Sequence, residues 1–303
     1  MFGIVGIGLL IRKLDWLTEE ADHSLLRVNI NLLMPALILD AALGNPALSR
    51  PGNLLMAPLV GFGTILLGMV LASFAGGLHG LTDPRARRTF AFSTGIYNYA
   101  YLALPLALLL FPGGDTVGVL FVHNVGVETA LWTVGVMLLT GRGTGIGWRQ
   151  ILNAPLVAIV LAVLLNLLGV SSHLPQPLLT AIHWLGQCAI PMALILIGAV
   201  IADHLAEFHS DWGFRVMSAA VFLRIILLPL LFLLLAKFLP VSLELKRVIV
   251  LQAAMPAAVF PIVMAKHYEG DPPTALRVVI GTSVASLITI PLWIRLGLLW
   301  TGI

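Results

Sequence analysis

Charged side chains are scarce in this chain of 303 residues, because Asp, Glu, Lys and Arg together make up only 10% of it. A soluble domain usually carries about 25% of these residues. Here 59% of the residues are hydrophobic and the mean hydropathy is +1.01. This comparison excludes a soluble globular domain and indicates a membrane protein. The net charge of +3 is too small to favour nucleic acid as a partner.

The chain also lacks the signatures of disulfide-built proteins and of enzymes. Its single cysteine, Cys188, excludes an internal disulfide. The sequence contains no Gly-rich phosphate loop, no His-x-x-x-His metal pair and no Gly-x-Ser-x-Gly elbow. We therefore expect a protein that is not an enzyme, with neither a cofactor nor a resident metal.

Long apolar runs dominate what is present, and they predict an all-α membrane protein with ten transmembrane segments. Lys and Arg are enriched in the loops that follow odd-numbered segments. The positive-inside rule places these loops in the cytoplasm and both termini outside. The expected location is the cell (inner) membrane. The predicted segments are residues 2–17, 24–43, 53–78, 89–111, 115–140, 150–169, 177–202, 214–239, 247–268 and 274–299.

An internal repeat divides these ten segments into two halves. The sequence MPALIL at 34–39 is echoed by IPMALIL at 190–196, and segments 4 and 9 both begin after an arginine and contain helix breakers. A repeat unit of five segments, an odd number, must place the second half upside down relative to the first. We therefore predict two inverted repeats, residues 1–140 and 141–303, an organisation typical of secondary transporters.

The helix breakers lie near the middle of segments 4 and 9, where no water would satisfy a broken backbone. Segment 9 carries Pro256 and Pro261 with Gln252 one turn earlier, and segment 4 is interrupted around Asn98. Irregular backbone at this depth is tolerated where protein or a water-filled cavity satisfies it. We predict that the two breaks cross near the midplane and that their half-helix N-termini attract an anionic group. The alternative is two proline kinks without a ligand role.

Several of these motifs resemble the auxin efflux carrier family, which includes the plant PIN carriers and bacterial permeases. Segment 9 has the spacing of Pro256 and Pro261 followed by Ala-Lys-x-Tyr at 265–268. Segment 4 has Asn98 followed seven residues later by Pro105. Segment 8 has Arg224 five residues before a proline, and IPLW at 290–293 is similar to the end of the family's tenth helix. The resemblance covers essentially the whole chain.

The resemblance implies a scaffold made of segments 1, 2, 6 and 7, which also forms a homodimer. Segments 3–5 and 8–10 would form a mobile transport domain that moves in an elevator-like manner. It also implies a small organic anion as substrate, either an auxin-like aromatic acid or a dicarboxylate of the malate or malonate type. The chain departs from the plant carriers at Tyr97, where they have proline, and at Ala257, where they have a polar residue, which puts auxin itself in doubt.

Polar residues inside the apolar segments are candidates for the substrate site, because ionisable and polar groups in a membrane default to function. We assign Asn98 and Asn124 as hydrogen-bond donors to a carboxylate, with His123 as a second contact. The alternative for Asn124 is an ordinary interhelical hydrogen bond. The full set of predicted substrate-binding residues is Tyr97, Asn98, Tyr99, Pro105, His123, Asn124, Gln187, Gln252, Met255, Pro256, Ala257 and Pro261.

Glu128 and Arg224 both fall near the middle of their segments, and two interpretations of them remain open. They form a buried ion pair that fixes helix packing, since buried charges are usually paired, or Glu128 takes up a proton that is coupled to transport. We favour the ion pair.

The sequence thus predicts a secondary transporter of a small organic anion. One alternative is a sodium-coupled symporter of the bile-acid type, and another is a membrane sensor that binds a ligand without moving it.

Overall fold

The computed structural model describes residues 2–78, 81–141, 152–204 and 212–303 of the chain. In the first half, the helices are α1 (Phe2–Lys13), α2 (Glu19–Val28), α3 (Met34–Ala42), α4 (Pro51–Leu78), α5 (Pro84–Gly95), α6 (Ala103–Leu110), α7 (Asp115–Ala130) and α8 (Val136–Thr140). In the second half, they are α9 (Ala154–Leu167), α10 (Gln176–His204), α11 (Trp212–Val221), α12 (Leu228–Phe238), α13 (Leu243–Ala254), α14 (Phe260–His267) and α15 (Pro272–Thr301). Residues 150 and 151, at the start of the predicted sixth segment, lie outside the described residues.

Within the described residues, three of the apolar segments contain a π-helical turn that joins two α-helices into one continuous rod. These turns are Asn29–Leu33 between α2 and α3, Leu131–Gly135 between α7 and α8, and Phe222–Leu227 between α11 and α12. A π-helical turn shifts the side chains that follow it around the helix axis and often lies at a functional site. All three turns hold residues of the site described below, Ile30, Trp132 and Arg224.

Several helices of the described residues have the length and composition of membrane spans. Six stretches qualify: Glu19–Ala42, Pro51–Gly77, Asp115–Thr140, Gln176–Asp203, Gly213–Phe238 and Pro272–Thr301. Large apolar side chains cover their outer surface, and Phe214, Ile288 and Leu299 are each more than 70% exposed. A soluble monomer rarely exposes apolar surface on this scale. The chain is an all-helical, multi-pass membrane protein in the part that the structure describes.

Segments 4 and 9 of the sequence analysis are each split into two half-helices. Helices α5 and α6 are separated by residues 96–102, and helices α13 and α14 are separated by residues 255–259. The arrangement of the ten segments as two inverted repeats stays a prediction.

Two bundles of helices frame the interior. In the first, α10 packs against α1 and α3, and α9 packs against α3. In the second, α7 packs against α4 and α13, while α15 packs against α5, α11 and α13. Close contact between α4 and α7 requires glycine, because a Cβ on Gly126 would overlap the backbone carbonyl of Pro58. Small residues of this kind allow helix backbones in a membrane to approach closely.

Candidate functional site

The two breaks lie against each other, as the sequence predicts. Tyr97 and Ala257 form an isolated antiparallel bridge. The N–H of Asn98 donates to the carbonyl of Pro256 at 2.8 Å, and the N–H of Ala258 donates to the carbonyl of Ile96 at 2.9 Å. Each break therefore supplies hydrogen-bond partners to the other where a helix would have supplied its own. These two hydrogen bonds explain how each helix can be interrupted inside the membrane without leaving these backbone groups unpaired.

Side chains near the first break satisfy two of its remaining backbone groups, the N–H of Leu102 and the carbonyl of Tyr99. The Oδ1 of Asn98 accepts the N–H of Leu102 at 3.2 Å, just before α6 begins. The carbonyl of Tyr99 accepts two side-chain amides, from Asn124 at 3.2 Å and from Gln252 at 3.0 Å. The Tyr97 hydroxyl lies 2.8 Å from the hydroxyl of Thr64 on α4. Asn98, the polar centre of the first break, thus acts as a cap for the helix that follows.

The second break is stabilised by side chains from two other helical stretches. Arg224, which is fully buried, donates from Nη2 to the carbonyl of Gln252 at 2.8 Å and from Nε to the carbonyl of Met255 at 2.9 Å. The hydroxyl of Thr282 on α15 accepts the N–H of Ala257 at 3.1 Å. A cation suits the C-terminal end of a half-helix, where unpaired carbonyls carry partial negative charge. Arg224 and Thr282 therefore hold the C-terminal end of α13 and the strand-like residues after it.

A cavity of about 320 Å³ lies beside the crossing. One wall comes from the α2–α3 rod and α9, and the opposite wall comes from the two breaks and the α7 rod. The lining residues are Ile30, Met34, Ile38, Asn98, Tyr99, Ala100, Tyr101, Phe121, Asn124, Val125, Glu128, Trp132, Asn153, Pro155, Leu156, Ile159, Ala258, Val259 and Phe260. An apolar cavity with a few converging polar groups is the usual form of a small-molecule site.

The N-terminal ends of α6 and α14 both open on this cavity. Ala100 and Tyr101 precede α6, and Val259 and Phe260 begin α14; all four residues line the cavity. Among the hydrogen bonds of the described residues, none is donated by the backbone N–H of these four residues. Unpaired N–H groups at a helix N-terminus, together with the helix dipole, favour an anion.

Glu128 is the carboxylate in the cavity wall. Its Oε1 accepts the hydroxyl of Tyr99, and its Oε2 accepts the indole N–H of Trp132 at 2.9 Å. The structure corrects the ion pair expected from the sequence, because no salt bridge of the described residues includes either Glu128 or Arg224. The physical reason is that the carbonyls released by the second break occupy Arg224.

Glu128 and Arg224 are nevertheless connected through the crossing. The Tyr99 hydroxyl donates to Glu128, the Tyr99 carbonyl accepts from the Gln252 side chain, and the Gln252 carbonyl accepts from Arg224. The guanidinium carbon also lies 4.9 Å from the centre of the Tyr97 ring. Glu128 and Arg224 are therefore linked only indirectly, through hydrogen bonds to opposite ends of Tyr99 and of Gln252.

The structure places the predicted site residues in three groups. Asn98, Tyr99, Asn124 and Glu128 line the cavity. A second group packs around the crossing without lining the cavity: Tyr97, Pro105, His123, Gln252, Met255, Pro256, Ala257 and Pro261. Gln187 is exposed on α10 and is not among the lining residues, so the structure does not bring it to this site.

His123 is fully buried behind the cavity, with its Nδ1 3.3 Å from the Oδ1 of Asn124. Its Nε2 has no hydrogen-bond partner among the described residues. The ring also lies near Tyr97, with 6.5 Å between ring centroids. In this structure, the contacts of His123 are therefore with neighbouring side chains of the crossing.

Several lining residues are absent from the site that the sequence predicts. Trp132 lies four residues after Glu128 on the same helical rod, and this spacing was an available signal because such residues face the same way. Met34 and Ile38 form an apolar wall with Leu156 and Ile159 of α9. Nothing local in the sequence of α9 distinguishes the side chains that face the cavity from those that face outward.

Comparison with known proteins identifies the class. Residues 146–294 match a family described as membrane transport protein. An uncharacterised transporter of Methanothermobacter thermautotrophicus is 26% identical over 298 residues, which is 96% of this chain and 94% of the relative. An uncharacterised transporter of Methanocaldococcus jannaschii is 24% identical over 295 residues, again 96% of this chain and 94% of the relative.

The chain is therefore a membrane transporter rather than an enzyme. Its helix-breaking motifs and these matches together support a transporter similar to the auxin efflux carrier family and its PIN-like members.

Proposed function

We propose that the protein is a secondary active transporter that moves a small organic anion across the cell membrane by alternating access. The observation that carries this proposal is the crossing of two broken helices beside a cavity, with unpaired backbone N–H groups at two half-helix N-termini. Transporter sites are typically built in this way, from interrupted helices in the interior of the bundle. The side-chain amides of Asn98 and Asn124 lie on the same wall and supply further donors.

The position of the cavity supports elevator-like movement. One wall belongs to segments 2 and 6, which the family resemblance assigns to the scaffold; the other wall belongs to segments 4, 5 and 9 of the transport domain. A substrate held between the two groups would move with the transport domain as it slides along the scaffold. This proposal includes the ten-span inverted repeat, a homodimer formed through the scaffold, and both termini outside the cell.

The apolar wall favours one of the two expected substrate classes. Side chains such as Met34, Phe121, Leu156 and Phe260 surround most of the cavity. A dicarboxylate would leave its second charged group against these side chains without hydrogen bonds, at a high cost in desolvation. An aromatic or other apolar acid with one carboxylate would place that carboxylate near the unpaired N–H groups and its apolar part against these side chains. We therefore propose an aromatic monocarboxylate ahead of a malate-like substrate.

Counterflow in proteoliposomes tests this proposal, with indole-3-acetate, benzoate, malonate and malate as probes. We expect exchange of an aromatic monocarboxylate and little exchange of the dicarboxylates. Exchange of a dicarboxylate alone would contradict the substrate class. No exchange of any probe, together with ligand-induced stabilisation of the protein, would indicate a sensor instead of a transporter. Exchange that requires Na⁺ would favour the alternative of a sodium-coupled symporter.

A pair of adjacent substitutions on α9 provides the matched control. Leu156 lines the cavity, whereas Val157 is 56% exposed on the outer surface. Leu156→Trp places a larger side chain in the cavity, so we expect counterflow to fall by about tenfold or more, given the cost of overfilling a packed site. Val157→Trp adds the same side chain outside the cavity and is expected to retain counterflow. Equal losses in both variants would mean that the cavity is not the transport site.

A further inference from the structure

A carboxylate lies in the same cavity that is proposed to hold an anion. Both oxygens of Glu128 accept hydrogen bonds from neutral donors, Tyr99 and Trp132. Among the described residues that line the cavity, the ionisable side chains are Glu128, Tyr99 and Tyr101, and none is basic. A second negative charge in this poorly screened space would be repelled by an ionised Glu128.

Among the residues that the structure describes, the elements packed around Glu128 bring no cation to it. The helices α3, α4, α6, α9 and α13 pack against α7, as does the 3₁₀ turn Pro46–Ser49, which has no ionisable residue. Helices α4, α6 and α9 contain no ionisable residue, and on α3 Asp40 is bonded to His183. On α13 the ionisable residues Glu244, Lys246 and Arg247 lie in the first turns. Glu244 is bonded to Arg50, and Arg247 is stacked over Phe111. On α7 itself, Asp115 is in the first turn, and His123 contacts Asn124 and Tyr97.

An anion that enters the cavity meets no cation that pairs with Glu128. Arg224 is a fully buried cation that bonds only to carbonyls among the described residues. None of their salt bridges joins it to Glu128, so Arg224 does not neutralise the cavity carboxylate. An arriving carboxylate therefore adds a second negative charge beside an ionised Glu128, and the lining residues bring no basic side chain to either. Buried charge without a partner is costly, and a carboxyl group avoids this cost by taking up a proton.

We propose that Glu128 is the proton-binding site of this transporter and that it is protonated whenever an anion occupies the cavity. The proton passes from solution to a carboxylate oxygen of Glu128, crosses with the anion and is released on the other side, so only an O–H bond forms and breaks. Anion and proton then move together in the ratio one to one. This inference rests on the proposed function, because it assigns the coupling ion of the same site.

Proton binding at Glu128 is tested first without any substrate. Trp132 donates its indole N–H to the Glu128 carboxylate, so its fluorescence reports the charge on that group. The signal is the difference between the wild type and Trp132→Phe, followed from roughly pH 5 to 8. We expect a single titration that disappears in Glu128→Gln. In Tyr99→Phe the titration should move to higher pH, because the ionised form loses a hydrogen bond. A Trp132 signal that titrates equally in Glu128→Gln would overturn the assignment.

The coupling is tested by the pH dependence of anion binding, with the monocarboxylates indole-3-acetate and benzoate as probes. At pH values where Glu128 of the empty protein is ionised, each bound anion must bring one proton. Affinity should therefore fall by about tenfold for each unit of rising pH in the wild type. In Glu128→Gln it should be independent of pH. Affinity that varies with Na⁺ and not with pH, or equal pH profiles in the two proteins, would contradict proton coupling.

The two tests separate failure of this inference from failure of the proposed function. If neither probe binds or moves while the Trp132 signal still titrates through Glu128, the proton site stands and the anion-transport proposal fails. If a probe binds and is transported with no dependence on Glu128, the transporter stands and the coupling role is lost.

Discussion

The two breaks form one crossing, but they are stabilised in different ways. The first break contains its own polar side chain, Asn98, which caps the start of α6 and also faces the cavity. The second break, from Met255 to Val259, contains no polar side chain and depends on Arg224 and Thr282, neither of which lines the cavity. In the first break one residue both supports the backbone and lies on the proposed binding surface, while in the second break these two roles fall on different residues. Substitutions in the first break can therefore affect both stability and binding, whereas substitutions that weaken the second break should affect stability alone.

The largest effect on stability is expected from Arg224→Met. The change removes the Arg224 donors from two buried carbonyls. The Gln252 carbonyl keeps the N–H of Met255 at 3.3 Å, whereas the Met255 carbonyl loses its donor. A buried acceptor left without a partner costs about 1–3 kcal/mol. We expect a large decrease in the midpoint of thermal unfolding in detergent. Lys237→Met is the control, because it removes a cation that is exposed and stacked on Trp300. Similar decreases in the two variants would show that Arg224 does not hold the second break.

A smaller loss is expected from Thr282→Val, which keeps the shape of the side chain. The Ala257 N–H then loses its acceptor at 3.1 Å, at a cost of about 1–2 kcal/mol in the free energy of unfolding. The matched control is Ser286→Ala on the same helix, since its hydroxyl donates only to the Ser283 carbonyl of that helix. Because Thr282 does not line the cavity, we expect anion affinity to change little. A loss of binding free energy larger than the loss of unfolding free energy would contradict the separation of roles at the second break.

The smallest effect on stability, with the largest on binding, is expected from Asn98→Ser. Serine keeps an oxygen acceptor near the N–H of Leu102 and adds no charge to the cavity that holds Glu128, so stability should change by less than about 1 kcal/mol. The change removes the amide donor that faces the cavity. We expect affinity for a transported carboxylate to fall by about tenfold, because a hydrogen bond to a charged group is lost. Unchanged affinity would remove Asn98 from the binding site; Asn98→Ala, which loses the cap, serves as the destabilised control.

The same contrast explains how far the sequence could be interpreted. Breaks at Asn98 and at Pro256 are visible because proline and clustered polar residues are out of place in an apolar segment, and the structure confirms that they cross. Glu128 and Arg224 were recognisable as important, yet their pairing was wrong. An apolar environment favours pairing of opposite charges, but the carbonyls that the second break releases compete for the guanidinium, and only the folded chain brings them to Arg224.

The apolar side of the cavity was harder to predict for a different reason. The residues of α9 on the outer surface of the protein are as apolar as those that face the cavity, as Val157 and Leu156 illustrate. Periodicity of hydrophobicity, which distinguishes the inner and outer faces of a soluble helix, therefore carries little information here. Gln187 shows the opposite error, because a polar residue within an apolar segment was assigned to the site although it lies on the exposed face of α10.

Ligand protection of a cysteine in the second break tests the central claim, that the crossing holds the anion. The chain has a single cysteine, Cys188, so Cys188→Ser provides a background for Ala258→Cys in the cavity and Val263→Cys on the exposed side of α14. The rate of alkylation by N-ethylmaleimide is measured with and without a carboxylate that the protein exchanges in counterflow. The anion should slow alkylation at position 258 and leave position 263 unaffected. An unchanged rate at position 258 in a protein that still transports the anion would contradict the account.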